Sequence, residues 1–91
     1  MLVSDYLGTG IENARTARQI AAFFDCTPRQ VTIQIERERR QGQPICASCD
    51  AAQPGYYLAE GPQDLQRYCD KLRRRSAEID RTRQALESIL L

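Results

Sequence analysis

The sequence predicts a mainly α chain with one small β-hairpin and a long C-terminal helix, and three observations carry that prediction. Thr16 and Thr27 are each followed three residues later by a glutamine, Gln19 and Gln30. That is capping-box spacing: the threonine hydroxyl accepts a free N–H of the first turn, and the glutamine reaches back to the threonine N–H. Two short β-rich runs, Pro44-Ile45-Cys46-Ala47-Ser48 and Gly55-Tyr56-Tyr57-Leu58-Ala59, flank Cys49 to Pro54 and read as a hairpin with a loop. From Pro62 onward neither Gly nor Pro recurs, and Arg, Gln, Leu and Glu abound.

Taken in order, Leu2, Val3, Tyr6 and Leu7 share one face of a short first helix ended by Gly8 and Gly10. Ile11 to Arg15 is an extended link. Ala17, Ile20, Ala21 and Phe24 form an i, i+3, i+4, i+7 stripe on the second helix. Asp25, Cys26 and Thr27 make a tight turn, and Pro28 opens the third helix where its missing N–H costs nothing. Val31 and Ile35 face inward, and their stripe continues onto Gln34 and Glu38. A buried Glu38 is costly unless paired, which predicts an Arg of the C-terminal helix beside it. Gly42 supplies a left-handed stop.

Helix, tight turn, helix is the architecture that sets a second helix in the DNA major groove, and a hairpin directly after it is a wing. The expected fold is a winged helix-turn-helix over residues 1–60, with its recognition helix at about 28–41 and its wing at about 45–59. Residues 61–91 form the long C-terminal helix, a dimerisation element. Running to Leu90, that helix spans about 43 Å at ~1.5 Å per residue. With Leu65 at heptad position a, Leu72, Ile79 and Leu86 also fall at a, while Tyr68, Arg75, Thr82 and Ile89 fall at d. The first half, Leu65, Tyr68, Cys69 and Leu72, is expected to cover the core. A domain of 91 residues cannot also reach Ile79, Thr82, Leu86, Ile89, Leu90 and Leu91. Those residues predict a homodimer, because an aliphatic stripe is rarely left bare.

The formal net charge is only +1, but Arg15 to Arg40 holds six arginines against three acidic residues. That asymmetry fits one face turned toward phosphates. No membrane span or signal-peptide pattern is present, so a soluble cytoplasmic protein is expected. Cys46 and Cys49 make a C-x-x-C, with Cys26 and Cys69 far to either side and no His in the chain. Cys26 and Cys46 read as small core residues rather than metal ligands, so no metal, cofactor or small-molecule ligand is expected. With no Gly-rich phosphate loop and no nucleophile beside a base, the chain does not read as an enzyme.

The residues Thr16 to Ala59 resemble the small winged helix-turn-helix domains of bacteria and their phages, akin to the helix-turn-helix type 11 group. The likeness lies in ENARTARQIA before the turn, TPRQV opening the recognition helix, and ERERRQGQPICAS leading into GYYLAE. Gly42-Gln43-Pro44-Ile45 closed by Gly55-Tyr56-Tyr57-Leu58 is the most specific part. The chain departs from that pattern at Asp25, where a small residue or Gly is usual, and at Glu38, where an aliphatic is usual. The resemblance implies sequence-selective DNA binding in phage or prophage transcription regulation, replication or packaging.

On that reading, Arg29 and Arg37 reach guanine edges, Gln30 and Gln34 suit adenine, and Ile33 meets a thymine methyl. Arg15 and Arg18 hold phosphates near the second helix's N-terminus. Thr27 and Gln53, at the start of the recognition helix and the wing tip, complete the DNA-facing set. The alternative is a winged-helix docking or assembly module without DNA specificity. Glu36, Glu38 and a wing loop lacking Arg or Lys lean that way.

Overall fold

The computed structural model describes residues 1–90. Helix α1 (Ala17–Phe24) and helix α2 (Pro28–Arg40) are joined by a tight turn, and strands β1 (Ile45–Ser48) and β2 (Gly55–Leu58) pair antiparallel. Helix α3 (Pro62–Ile89) follows without interruption. The chain is thus mostly helical with a small two-stranded hairpin, as expected. Leu91 lies outside the described residues.

Local chemistry sets each boundary. Both capping boxes form: Thr16 Oγ1 accepts from Gln19 N (3.2 Å) and Gln19 Oε1 from Thr16 N (2.8 Å), with Thr27 and Gln30 repeating the pattern at 3.1 and 2.9 Å. Each cap stabilises its helix by about 1 kcal/mol. Between the helices Asp25 adopts the left-handed conformation (φ 54°), which Asp tolerates better than most residues. Gly42 (φ 99°) stops α2.

The N-terminal segment departs from the expected short α-helix. It contains two single 3₁₀ turns, Val3–Asp5 and Ile11–Asn13, the second within the stretch expected to be extended. The chain between them runs beside β2 on the edge that β1 leaves free. Leu58 N donates to Gly8 O and Gly10 N to Leu58 O, both at 2.9 Å. Arg15 and Tyr56 exchange backbone bonds of 2.9 and 2.8 Å. Such pairing draws Gly8 to Gly10 alongside β2, and the helical part before them is a single turn.

Val3, Leu7, Ile20, Ala21, Val31, Ile35 and Ile45 form the buried core, with Tyr6, Ala17, Phe24, Cys26, Tyr56 and Leu58 packed on its rim. Each fully buried aliphatic contributes about 1.5–3 kcal/mol. Cys46 is buried, as expected; Cys26 is only half-buried, and Cys49 and Cys69 are exposed.

Two expectations are corrected. Glu38 is fully buried, but no arginine meets it. Its carboxylate accepts from Val3 N (2.7 Å), Ser4 N (2.8 Å) and Gln34 Nε2 (2.9 Å). Two main-chain amides and one side-chain amide supply the compensation expected from a cation. The second correction concerns α3, which buries no residue. Asp64 and Tyr68 are half-buried toward the hairpin, while Leu65, Cys69 and Leu72 are exposed. Val3 and Leu7 already close the core, so little remains for α3 to cover.

Candidate nucleic-acid interface

Helix α2 presents two faces of opposite character. Inward lie Val31, Ile35 and Glu38, the last tying the helix to the N-terminal 3₁₀ turn. Outward lie Arg29, Gln30, Ile33, Arg37 and Arg40, all exposed. Ile33 is 49% accessible, a large aliphatic facing solvent beside Arg37 and Arg40 in a shallow depression that Thr32, Glu36 and Gln41 complete.

The expected DNA-facing residues differ in how far their side chains are already engaged. Arg18 and Arg29 form no hydrogen bond or ion pair with any described residue, so their guanidinium groups are available to a ligand. Arg37 has only a long contact to Gln34 Oε1 (3.4 Å), and Ile33 is unencumbered. Thr27 and Gln30 cap α2, so the Gln30 carbonyl oxygen is engaged while its exposed NH₂ bonds to no described residue. Gln34 is half-buried with its amide bound to Glu38, so it is turned away from the outer face. Gln53 is exposed at the hairpin tip, in a turn where Asp50 Oδ1 accepts from Ala52 N (3.0 Å) and Asp50 O from Gln53 N (3.1 Å).

Arg15 is held on two sides. Its backbone pairs with Tyr56 of β2, and its guanidinium lies 4.6 Å over the Tyr6 ring with Nη1 donating to Tyr6 Oη (3.2 Å). This places a cation one residue before the Thr16 cap, where the free N–H groups and dipole of α1 also favour an anion.

Arg39 is a structural tie that the sequence pattern leaves unmarked among the arginines of α2. Its Nε donates to Ile45 O (2.9 Å), Nη2 to Tyr68 Oη (3.0 Å), and Nη1 meets Glu36 (3.4 Å). One side chain thereby fixes the hairpin and α3 against α2. Its one signal is its place four residues after Ile35, on the flank of the inward stripe.

The hairpin itself carries no cation. Cys46 and Tyr57 face each other across it. Burial pushes the Cys46 thiol above its ordinary range, and the Asp64 charge adds to the effect, so the sulfur is kept from the thiolate form.

Along α3, Leu65, Leu72, Ile79, Leu86, Ile89 and Leu90 are exposed, rising from 37% at Leu65 to 85% at Leu90. Ile79, Thr82, Leu86, Ile89 and Leu90 lie along one exposed, largely apolar stretch of α3 beside Arg83 and Glu87. Among the described residues no helix is long and apolar enough to cross a membrane. No family model, curated protein or solved structure matches the chain.

Proposed function

We propose that the chain is a cytoplasmic, sequence-selective binder of double-stranded DNA, with α2 as the recognition helix of a winged helix-turn-helix and α3 as the element joining two copies. The observation that carries this reading is the outer face of α2. Arg29, Gln30, Ile33, Arg37 and Arg40 stand exposed on a helix held rigid from behind by Val31, Ile35 and Glu38. Forked guanidinium groups and a carboxamide are the donors that distinguish base edges, and an adjacent aliphatic suits a thymine methyl. Rigid support matters because a loosely held helix must be ordered at the expense of affinity. Regulation of a phage or bacterial gene is the role this activity best fits.

A salt titration of binding to duplex DNA tests the reading. Arg37→Ala is expected to lower discrimination between a selected site and random duplex by about ten-fold or more while leaving most of the salt slope, because a base contact carries selectivity. If the wild type fails to bind even at ~50 mM salt, where phosphate contacts are strongest, the docking-module reading replaces this one.

Two copies joined through α3 present two recognition helices, so the site is expected to be palindromic. Sedimentation equilibrium is expected to give twice the chain mass for the wild type. Leu86→Asp is expected to give the monomer mass with helix content retained, since Leu86 is 61% exposed and touches nothing within the body. A wild type that sediments as a monomer at tens of micromolar would remove the dimer from the proposal.

A further inference from the structure

We infer that Tyr6 is a positioning residue for phosphate binding: sandwiched between Phe23 and Arg15, it holds the Arg15 guanidinium ready beside the N-terminus of α1. The inference rests on the DNA-binding reading above and adds a residue that does not itself touch DNA.

Four contacts converge on Tyr6. Its ring stacks on Phe23 with centroids 3.9 Å apart and planes 22° from parallel. A ring so close fills one face of Tyr6 and leaves the other to the guanidinium, whose Cζ lies 4.6 Å from the Tyr6 centroid. The hydroxyl then accepts from Arg15 Nη1 at 3.2 Å. Phe24 closes the edge of the stack, 5.7 Å from Tyr6 and 72° to its plane.

Phe23 is 61% exposed, an arrangement that core packing alone does not require. Its place is explained if it backs Tyr6. Arg15 is meanwhile anchored through its backbone to Tyr56, so main chain and side chain are both constrained.

The chemistry follows from arginine's donors. A guanidinium has five N–H groups, and one bond to a hydroxyl leaves four. Stacking covers a face and leaves the N–H edge free, which is the edge that meets a phosphate. A free arginine side chain loses up to ~2 kcal/mol of rotamer entropy when it is immobilised. The stack makes part of that loss before DNA arrives, and so raises affinity without adding a contact. Arg18, one turn away and without an intramolecular partner, has no such support.

The test is a double-mutant cycle read on a fluorescently labelled duplex of random sequence, across a salt series, with thermal melts of each variant alongside. Arg15→Ala is expected to weaken binding and to reduce the salt slope by about 0.9, the signature of one lost phosphate contact. Tyr6→Leu, which keeps an apolar group against Phe23 and Phe24, is expected to weaken binding about three- to five-fold with the slope retained. The double variant is expected to bind no more weakly than Arg15→Ala, because Tyr6 acts only through Arg15. Tyr6→Phe keeps the ring and loses the hydroxyl, and should fall between wild type and Tyr6→Leu; it carries the test if the leucine variant does not fold.

Losses that multiply in the double variant would overturn the proposal, as would a folded Tyr6 variant that binds like the wild type. An Arg15→Ala protein with unchanged affinity and slope overturns it too, while salt-dependent wild-type binding leaves the DNA reading in place. A wild type that does not bind removes both.

Discussion

Glu38→Ala is expected to destabilise the fold by about 3 kcal/mol, because it strips the only acceptor from three donors at once. Val3 N, Ser4 N and Gln34 Nε2 all converge on this carboxylate, and Glu38 itself is fully buried. In a domain of this size such a loss corresponds to a fall of roughly 12–24 °C in Tm. A thermal melt by circular dichroism measures it, and a variant melting within ~3 °C of wild type would show that water replaces the carboxylate at little cost.

The same group makes stability depend on acid. Burial raises the Glu38 pKa by disfavouring the charge, but the hydrogen bonds from Ser4, Gln34 and Val3 outweigh it and hold the carboxyl below its ordinary value. In the unfolded chain Glu38 therefore binds a proton at higher pH than in the folded one. The contribution is fully present above the unfolded value, about 4.3, and is lost as pH falls through the folded value. Glu38→Gln preserves the volume and removes the titration. The wild-type advantage over this variant is expected to shrink below pH ~4.

Gly55→Ala is expected to match that effect, at about 3 kcal/mol, by prising the hairpin from the N-terminal segment. Gly55 has φ 116°, a conformation that residues with a Cβ rarely adopt. A methyl there also collides with the Arg15 carbonyl and Thr16 N, both backbone atoms that no rotamer change can clear. Relief requires Arg15 to leave Tyr56, which breaks the bonds of 2.9 and 2.8 Å between them. Hydrogen exchange at the Arg15 and Tyr56 amides is the direct measure. Protection equal to wild type would mean that the strand bends away by some other route. Gly42, with open space where its Cβ would sit, is the contrasting site.

The residues that announced themselves in the sequence are those whose chemistry is local. Thr16 with Gln19, Thr27 with Gln30, Pro28 and Gly42 each act within four positions of themselves, so spacing alone placed α1 and α2. The hairpin was legible in the same way. What stayed hidden depends on distant chain. The partners of Glu38 lie 34 and 35 residues away and are main-chain amides, which have no sequence signature. The bare stripe at Leu65 and Leu72 was misread because it requires knowing that Val3 and Leu7 had already closed the core. Of the candidate interface, the outward arginines of α2 follow from helical phase, whereas Gln34 falls both on the inward stripe and in the adenine-reading set, and its bond to Glu38 decides for the inside. Tyr6 stands in the sequence only as one residue of an apolar helix face, since nothing in the spacing of Tyr6, Arg15 and Phe23 predicts a stack.

Helix α3 is one unbroken helix pinned to the body at Tyr68, so it transmits direction as well as distance. Leu86 stands five full turns beyond Tyr68 at ~3.6 residues per turn, and therefore on the same side of the rod, about 27 Å farther along. The apolar stripe is in phase with the body it leaves. Removing one residue between Tyr68 and Ile79 would keep the helix intact and shorten it by only ~1.5 Å, yet swing the stripe through ~100°. Two bodies joined by that stripe would then face different directions. The number of residues in this stretch, more than their identity, sets how two recognition helices are aimed.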